Sequence, residues 1–557
     1  MLAWGCSPHP ARVSVPDRTP ATLAGVPEDD LFAQRRRKVD ELAALGVPAY
    51  NVDFKPTATL GDARRQAPAG SDAGEGPAVA VAGRIMSLRP MGGMAFAHIE
   101  DEDARLQVWL KSDRLDQAQW KVVELLDLGD IVGVRGPMVR TRRGEPSVLA
   151  DEVVLLVKAL RPPPEKWHGL QDTETRLRKR YLDLLSSAEQ RRHFAARSRV
   201  VRSVRRTLDS RGYLEVETPI LQLLAGGASA RPFRTHWNAL DTDVFLRIAI
   251  ELHLKRLLVG GYRRVYEIGR VFRNEGLSPR HNPEFTMLEA YEAFGDYHTM
   301  RELTEAIIVD AANAVGPLPA AEGGDAPCDN PLARRLEGRP IDLTPPFRTA
   351  PMAELIAEHA GFDPVAAWDD GSLRTRAESL GVVLQPGMGD GAVFMEIYEQ
   401  KVEHRLWDPT FVLDYPAEVS PLARRRRDDP RFVERFELVV AGRELANAFS
   451  ELNDPIDQRQ RFEAQVRRRA AGDEEAPPLD EDFLEAIETG MPPAGGLGIG
   501  VDRLTMLLTD SPTIREVLLF PQMRPEARTA PASPQDAQPR IEFSADAFPV
   551  VPEESGQ

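Results

Sequence analysis

The sequence predicts an α+β protein with two folded parts, a small β-barrel followed by a larger domain of strands and helices. Three observations predict this class. Five short β-rich runs lie between residues 79 and 156, two alternating runs flank a loop near residue 280, and a glycine-rich run leads into a helical pattern near residue 500. The 557 residues are enough for more than one domain.

Composition excludes several classes of protein. A content of 42% hydrophobic and 28% charged residues is typical of a soluble globular protein. The sequence contains no run of ~18 apolar residues, which a membrane span would need. The first residues lack the basic and apolar segments of a secretory signal. Cys6 and Cys328 are too few for a disulfide framework or a structural zinc site, so we expect a reducing cytoplasm. The net charge of −16 does not by itself indicate a nucleic-acid partner.

The N-terminal part begins with residues 1–27, whose Pro- and Ala-rich composition predicts a disordered extension. Residues 28–45 predict a helix, because acidic residues come first, apolar residues recur at helical spacing and a glycine follows. The five β-rich runs with glycine-containing turns predict a small closed barrel, for which the OB-fold is the usual form.

Barrels of this kind bind single-stranded nucleic acid with a basic groove and exposed aromatic rings. Phe96 and Gln107 fall on neighbouring predicted strands, and Arg89 precedes them, so these three side chains are candidate contacts. The alternative is a core phenylalanine beside two polar residues of the surface.

A proline run places the boundary of the second part near residue 165. It begins with a predicted helix over residues 193–211, which a glycine ends before a short strand. Glu251 lies at the start of a later apolar helical run, where the helix dipole favours a carboxylate. Residues 316–340 predict a loop insertion, and residues 350–405 predict a mainly helical insertion.

The stretch FRNEGLSPRHNPEFTMLE predicts two antiparallel strands joined by a loop. Arg273 and Glu275 lie two residues apart on the incoming strand and share a face, Arg280 and His281 occupy the loop, and Phe285 begins the return strand. A guanidinium can bind a phosphate or carboxylate, and a ring can stack on a purine. The ordered set predicts a nucleotide clamp, whereas a surface hairpin with solvated charges is the alternative for any single arginine.

Residues 435–454 predict two strands joined at residues 441–442. Glu437 and Glu444 fall on partner strands, so two carboxylates can converge on one divalent cation. Glu444 has the opposite parity to the next residues of its strand, so a bulge or bend is needed if all of them line one site. Those next residues are Asn447, Phe449 and Glu451.

The stretch GGLGIGVDRLTMLLTD, residues 495–510, predicts a glycine-rich strand that feeds a helix. Asp502 and Arg503 lie in the first turn, which places the arginine at the positive end of the helix dipole. Residues 526–557 are rich in proline, alanine and acidic residues and predict a disordered tail.

These stretches together resemble the motifs of the class II aminoacyl-tRNA synthetases. The FRNEG and RHNPEFTMLE segments resemble motif 2 in its lysyl form, the helix and strand over residues 193–219 resemble motif 1, and residues 495–525 resemble motif 3. The barrel resembles the anticodon-binding barrel of the lysyl, aspartyl and asparaginyl enzymes. The resemblance implies an N-terminal helix and OB-fold anticodon-binding domain over residues 28–165. It also implies a class II catalytic domain over residues 166–525, built on an antiparallel sheet flanked by helices.

The resemblance implies a lysyl-tRNA synthetase that activates L-lysine with ATP to lysyl-adenylate and transfers it to the 3′ end of tRNA(Lys). It implies catalytic roles for Arg273 and Arg503 and a Mg²⁺ site at Glu437 and Glu444. The implied ATP-binding residues are Arg273, Arg280, His281, Phe285, Glu437 and Arg503. The implied lysine-binding residues are Glu251, Arg273, Glu275, Tyr291, Asn447, Phe449 and Glu451. The implied anticodon-binding residues are Arg89, Phe96 and Gln107. Ile250 stands where the family usually has proline.

The motif 1 resemblance also implies a homodimer, and three alternative functions remain open. An aspartyl or asparaginyl enzyme would need a cation for the substrate side chain, which Glu251 and Glu451 disfavour. A protein-lysylating enzyme belongs to a group that lacks the barrel. A catalytically silent tRNA-binding protein would be expected to lose Arg273, Glu444 or Arg503.

Overall fold

A computed structural model describes residues 28–70, 74–102, 104–164, 170–318, 330–470 and 477–525. The extension 1–27, the tail 526–557, Cys6 and Cys328 lie outside the described residues. The chain divides into two compact units, which meet in sequence between Leu170 and Gln171. No helix among the described residues is long and apolar enough to cross a membrane.

The first unit contains three helices and six strands. The helices are α1 (Glu28–Ala44), α2 (Leu60–Arg65) and α3 (Gln117–Leu125). The strands are β1 (Ala78–Pro90), β2 (Met94–Glu100), β3 (Arg105–Lys111), β4 (Ile131–Arg140), β5 (Pro146–Leu149) and β6 (Glu152–Val157).

The strands of this unit form a closed barrel, as the sequence predicted. Their order is β1-β2-β3-β5-β4, and β4 pairs back onto β1 while β6 also pairs with β4. The last predicted strand is interrupted at residues 150–151, which separates β5 from β6. Gly136 on β4 explains the close approach there, because a side chain at this position would put its Cβ 1.9 Å from the Leu149 carbonyl oxygen. Alternate residues of β2 and β3 fill the barrel interior.

The second unit is larger. Its helices are α4 (Thr173–Arg178), α5 (Arg180–Ser186), α6 (Ala188–Ser210), α7 (Glu251–Val259), α8 (Tyr297–Val315), α9 (Met352–Ala360), α10 (Pro364–Asp369), α11 (Leu373–Ser379), α12 (Asp390–Lys401), α13 (Pro455–Ala470), α14 (Glu481–Glu488), α15 (Val501–Thr509) and α16 (Ile514–Val517). Its strands are β7 (Leu214–Glu215), β8 (Leu221–Gln222), β9 (Arg234–Trp237), β10 (Thr242–Leu246), β11 (Arg264–Phe272), β12 (Glu284–Ala293), β13 (Ala333–Leu336), β14 (Arg339–Asp342), β15 (Arg348–Pro351), β16 (Thr410–Pro416), β17 (Phe432–Val440), β18 (Arg443–Ser450) and β19 (Ala494–Gly500).

An eight-stranded sheet forms the centre of this unit, in the order β15-β16-β17-β18-β19-β12-β11-β7. All neighbouring pairs are antiparallel except the two at the edges, β15 with β16 and β11 with β7. Apolar residues of α6, α8 and α15 pack with those of the central strands into one large core. The sheet therefore has one face covered by helices, and its other face can carry a site.

Three sequence expectations, two for the insertions and one for a helix, are refined by the structure. The predicted loop over residues 316–340 ends in a short hairpin, because β13 pairs with β14. The predicted helical stretch over residues 350–405 contains α9 to α12. The helix predicted over residues 193–211 begins earlier, at Ala188, because the Ser187 side chain accepts a hydrogen bond from the Gln190 N–H and caps it.

The strands β11 and β12 are antiparallel and joined by a loop, as predicted, with Phe272 opposite Glu284. The placement of Arg273 and Glu275 on the incoming strand was wrong, because β11 ends at Phe272. Both residues lie in the loop, where the Arg273 N–H donates to the Pro283 carbonyl at 2.9 Å. This hydrogen bond extends the pairing of the two strands by one residue into the loop.

The predicted bulge lies between β17 and β18. Leu438 pairs with Ala446 and the next residue, Val439, pairs with Glu444, which leaves Leu445 as the extra residue. Beyond it the tight turn at residues 441–442 has positive φ at both positions, the geometry that suits a two-residue hairpin. Because of this extra residue, Glu444 can lie on the same face of the sheet as Asn447 and Phe449, although its position in the sequence has the opposite parity.

Candidate active site

A cavity of about 400 Å³ opens on the central sheet of the second unit. It is bordered by β12, β18 and β19, by the loop between β11 and β12, and by the first turns of α7 and α15. Eleven sequence-predicted residues line it: Glu251, Arg273, Glu275, Arg280, His281, Phe285, Tyr291, Glu444, Asn447, Phe449 and Arg503. Glu437 and Glu451 are buried and lie outside its lining.

The outer part of the cavity carries arginines around an aromatic ring. The Arg273 guanidinium lies 5.2 Å from the centre of the Phe285 ring, a cation–π distance. Arg503 donates to Glu444 twice, from Nη1 to the carbonyl oxygen at 2.8 Å and to the carboxylate at 3.1 Å. A planar aromatic ring near forked guanidinium groups can bind a purine and its phosphates.

The position of Arg503 is fixed by its neighbour in the chain. Asp502 is buried at the start of α15, where its side chain accepts a hydrogen bond from the Thr286 N–H at 2.7 Å. The other carboxylate oxygen forms an ion pair with Arg197 on α6 at 2.5 Å. These contacts tie the first turn of α15 to β12 and α6, and so hold the next residue at the cavity.

The loop residues Arg280 and His281 are exposed at the cavity rim. Ser278 organises them, since its hydroxyl accepts the N–H groups of both residues at 3.1 and 3.0 Å. The hydroxyl also lies 2.9 Å from His281 Nδ1. Partial desolvation by the loop and the nearby charge of Arg503 lower the pKa of His281, which favours the neutral imidazole near pH 7.

The inner end of the cavity is acidic. Glu251 begins α7, and Tyr291 and Glu289 lie two residues apart on the same face of β12. The Tyr291 hydroxyl donates to Glu289 at 3.0 Å, and the Ile250 N–H donates to the other oxygen of Glu289 at 3.0 Å. A proline at position 250 could not make this second bond. Burial and the charge of Glu251 raise the pKa of Glu289 to about 7.

Glu451 lies just beyond β18 and is 1% exposed. Its Oε2 atom forms an ion pair with Lys255 Nζ at 2.5 Å, and Lys255 also donates to Glu251 at 2.6 Å. The Oε1 atom lies against Gly496, where a Cβ atom would fall 1.8 Å from it and 2.6 Å from the Tyr291 ring. Gly496 itself lines the cavity, and Oε1 is buried without a hydrogen-bond partner among the described residues.

The two carboxylates predicted to hold Mg²⁺ differ in their surroundings. Glu437 is buried and paired with Arg435, whereas Glu444 is half-buried and paired with Arg503. Burial raises the pKa of Glu437 to about 7. Arg435 lowers this pKa and the charge of Glu444 raises it further, so Glu437 and Glu444 lie close enough to interact electrostatically. Among the residues that the structure describes, no group of three or more His, Cys, Asp or Glu side chains is placed to hold a metal ion.

Three residues of this site were missed by the sequence reasoning. Arg435 donates to Asn447 at 3.0 Å and pairs with Glu437, so it holds two predicted site residues in place. Glu289 shares a strand face with Tyr291, and Lys255 lies one helical turn after Glu251, so periodicity alone could have found both. Their burial could not be read from periodicity.

The predicted anticodon residues lie together on the barrel of the first unit. Arg89, Phe96 and Trp109 stand opposite one another across β1, β2 and β3. The Phe96 and Trp109 rings stack with centres 5.6 Å apart and planes at 22°. Gln107 lies in the adjacent row, where its carbonyl oxygen accepts the Ser147 hydroxyl at 2.8 Å. Trp109, which the sequence reasoning did not select, doubles the aromatic surface.

A five-stranded barrel of the OB type and a sheet-borne cavity with an arginine–aromatic part and an acidic part define a class II aminoacyl-tRNA synthetase. The family model for class II tRNA synthetases of the D, K and N group matches residues 172–524. The model for the OB-fold nucleic acid binding domain matches residues 79–156.

Curated relatives narrow the class further. The chain is 51% identical to the lysine–tRNA ligase of Moorella thermoacetica over 502 residues, 90% of this chain and 99% of the relative. It is 48% identical to the lysine–tRNA ligase of Shouchella clausii, over 90% of this chain and 98% of the relative. It is 47% identical to the lysine–tRNA ligase of Staphylococcus aureus, over 89% of this chain and 99% of the relative. The chain therefore belongs to the lysine–tRNA ligase family, whose members use ATP.

Proposed function

We propose that this chain activates L-lysine with ATP to form lysyl-adenylate and then transfers the lysyl group to the 3′ end of tRNA(Lys). The observation that carries the proposal is the inner end of the cavity, where Glu451 is buried behind Gly496 and beside Tyr291. Three buried acids, Glu251, Glu289 and Glu451, share this end with one buried lysine, Lys255, so it favours a ligand with a cationic tip.

Activation requires the lysine carboxylate to attack the α-phosphorus of ATP in line with the departing pyrophosphate. This step depends on alignment and charge neutralisation more than on an acid or base. We assign Arg273 to the substrate carboxylate and α-phosphate, since it is half-buried between the two parts of the cavity. Phe285 and Arg503 hold adenine, and Arg280 and His281 at the rim hold the outer phosphates.

Lysine selection follows from charge at the inner end. Glu251 binds the α-ammonium, and Glu451 with Tyr291 binds the ε-ammonium, while Asn447 and Phe449 border the side chain. We also assign Glu275 to the lysine site, through its effect on the charge of Arg273, which it neighbours in the loop. Aspartate or asparagine would bring no side-chain cation to an end that holds several buried acids, so the pocket disfavours both amino acids.

We further propose that Glu437 and Glu444 hold Mg²⁺ together with ATP. Oxygen donors suit this ion, and the charge of Glu444 helps to raise the pKa of Glu437, which fits a position that a cation would stabilise. When bound, the ion offsets negative charge that develops on pyrophosphate. Glu437, buried beside Arg435, would contribute with Glu444 from the neighbouring strand.

For the second substrate, we propose that Phe96 stacks on the central anticodon base while Arg89 and Gln107 contact its edge. We also propose a cytoplasmic homodimer. Support comes from large apolar side chains that are exposed around β8 to β10, including Leu221 at 49%, Leu223 at 68%, Trp237 at 47% and Leu240 at 61%. A molar mass in solution equal to that of one chain would contradict the dimer.

The test of the function is amino-acid-dependent ATP–pyrophosphate exchange with Mg²⁺ and each of the twenty amino acids in turn. We expect exchange with lysine alone. Exchange with aspartate or asparagine would overturn the pocket assignment, and no exchange would favour a silent tRNA-binding protein. Transfer of labelled lysine to tRNA(Lys) and not to protein then separates a tRNA ligase from a protein-lysylating enzyme.

A further inference from the structure

Lys255 is a buried lysine beside the proposed substrate pocket, with no role in the function proposed above. It lies on α7, one turn after Glu251, and its side chain is 0% exposed. Its ammonium bridges two carboxylates, Glu251 Oε1 at 2.6 Å and Glu451 Oε2 at 2.5 Å. The Phe449 and Phe483 rings flank it, with centres 5.5 and 5.9 Å from Nζ.

The charges around this lysine do not balance. Three buried carboxylates face the inner end, Glu251 from α7, Glu289 from β12 and Glu451 from the end of β18, together with the hydroxyl of Tyr291. Lys255 contacts two of these acids, Glu251 and Glu451, and Arg273 acts on Glu289 from the loop. Free lysine brings an α-ammonium and an ε-ammonium, so its arrival adds positive charge beside the acids.

The two oxygens of Glu451 have separate surroundings. Lys255 pairs with Oε2, while Oε1 lies against Gly496 at the cavity. Burial raises the pKa of Glu451, and the ammonium of Lys255 opposes that rise. One oxygen of the carboxylate is therefore held by Lys255, and the other lies buried against Gly496, a residue of the cavity lining, without a hydrogen-bond partner among the described residues.

We propose that Lys255 is a positioning residue for the substrate, which holds Glu251 and Glu451 at a fixed separation and so sets affinity for lysine. The inference rests on the function proposed above, in which these two acids bind the two ends of lysine. Because one ammonium bridges both acids, the distance between the α- and ε-ammonium sites is set by the protein before lysine enters.

The test compares Lys255→Met, which removes the charge at similar volume, with Lys255→Arg in lysine-dependent ATP–pyrophosphate exchange. For Lys255→Met we expect the KM for lysine to rise at least about tenfold, with the KM for ATP within about twofold of the unmodified protein. The rise of kcat/KM for lysine with pH should move to higher pH, because acids without the ammonium ionise less readily. Lys255→Arg should recover part of the affinity.

Discrimination against ornithine, which is one methylene shorter, gives a second readout. We expect the preference for lysine to fall in Lys255→Met, since the two acids are no longer held apart by one bridge. Lys179→Met changes an exposed lysine of the same unit and should leave every value unchanged. If Lys255→Met does not fold, Lys255→Gln, which keeps a hydrogen-bond donor without the charge, decides in the same way.

Two results would overturn the inference while leaving the proposed function intact. The first is a charge-removed variant with unchanged KM for lysine and unchanged pH profile. The second is an equal rise in KM for lysine and ATP, which would indicate general structural damage. An unmodified chain without lysine-dependent exchange would instead overturn the function itself, and the inference with it.

Discussion

At the scale of single residues, the inner end of the cavity depends on a position without a side chain. Gly496 on β19 leaves room beside Glu451, and a Cβ atom would fall 1.8 Å from Oε1 of that acid. Glycine is therefore required at position 496 by the space beside Glu451 and not by the backbone conformation. The glycine-rich pattern of β19 predicted close approach, but not which atom approaches.

Gly496→Ala should therefore abolish or strongly weaken lysine binding, with a rise of about 100-fold or more in the KM for lysine. The matched change on the same strand is Gly498→Ala, at a residue that also lines the cavity but whose Cβ atom would meet its nearest neighbour, Met287 Cε, at an ordinary contact distance of 3.4 Å. We expect that control to keep a KM for lysine near that of the unmodified protein. Equal effects of the two alanines in exchange assays would contradict the assignment of Gly496.

Glu289 gives a prediction about pH. Burial raises its pKa to about 7, above the 4.5 of an ordinary glutamate, so the folded state binds a proton more readily than the unfolded state. The stability that this group contributes is present below pH 4.5 and is lost as the pH rises through about 7. Relative to the unmodified protein, Glu289→Gln should gain roughly 1–3 kcal/mol in free energy of unfolding between pH 5 and pH 8.

Urea denaturation at the two pH values measures this difference. The exposed Glu354 on α9 provides the control, because Glu354→Gln changes the same functional group at the surface. A Glu289→Gln variant whose relative stability does not change with pH would mean that the acid titrates in the ordinary range.

At the scale of elements, α15 is held by its first turn. Asp502 accepts the Thr286 N–H and pairs with Arg197, while Asp510 at the other end pairs with Arg335 at 2.6 Å, and both side chains of that second pair are partly exposed. Removing one partner of a buried ion pair costs several times more than removing one of an exposed pair. The two ends of one helix therefore offer a matched comparison.

Asp502→Asn should lower the free energy of unfolding by about 3 kcal/mol and raise the KM for ATP, because the helix that presents Arg503 loses its anchor. Asp510→Asn should cost less than about 1 kcal/mol and leave the KM for ATP unchanged. Chemical denaturation and exchange kinetics check both values. Similar losses for the two variants would show that the buried contacts do not hold Arg503.

The elements also show what a sequence can and cannot predict. Alternation predicted the hairpin of β17 and β18, and the opposite parity of Glu444 indicated that a bulge or bend was needed for one shared site; the structure has a bulge. It placed Arg273 on a strand that ends one residue earlier, since a loop can continue an alternating pattern. The contact of Lys255 with Glu451 joins residues far apart in sequence, and no local pattern encodes it.

At the scale of the whole molecule, the two units predict separable effects on the two substrates. Phe96 belongs to the barrel of the first unit and the cavity belongs to the second. Phe96→Leu should raise the KM for tRNA in aminoacylation by about 10- to 100-fold, which corresponds to the loss of one stacked base. Lysine-dependent exchange, which needs no tRNA, should be unchanged.

The exposed Tyr50 offers a control aromatic in the same unit, and Tyr50→Leu should leave the KM for tRNA near its original value. A Phe96→Leu variant that charges tRNA normally would remove Phe96 from the anticodon site. A loss of exchange in that variant would mean that the barrel change disturbs the catalytic unit.

The sequence predicted the α+β class and both units because strand periodicity, helix spacing and motif order are local properties. It selected eleven residues that line the cavity, most of them in stretches where alternation decides which face is shared. It missed Arg435, whose part is to hold Asn447 and Glu437, since a supporting contact depends on packing between strands.

The bridge from Glu251 through Lys255 to Glu451 also constrains how this pocket can evolve. Loss of either acid leaves the ammonium buried with one partner, and loss of the lysine leaves two acids facing each other, so each single change is penalised. A descendant enzyme whose substrate is an acidic amino acid in place of lysine would need to replace all three of these residues together. The three residues are therefore expected to be inherited as one unit, and a chain that keeps two of them without the third marks a lineage that has left this specificity.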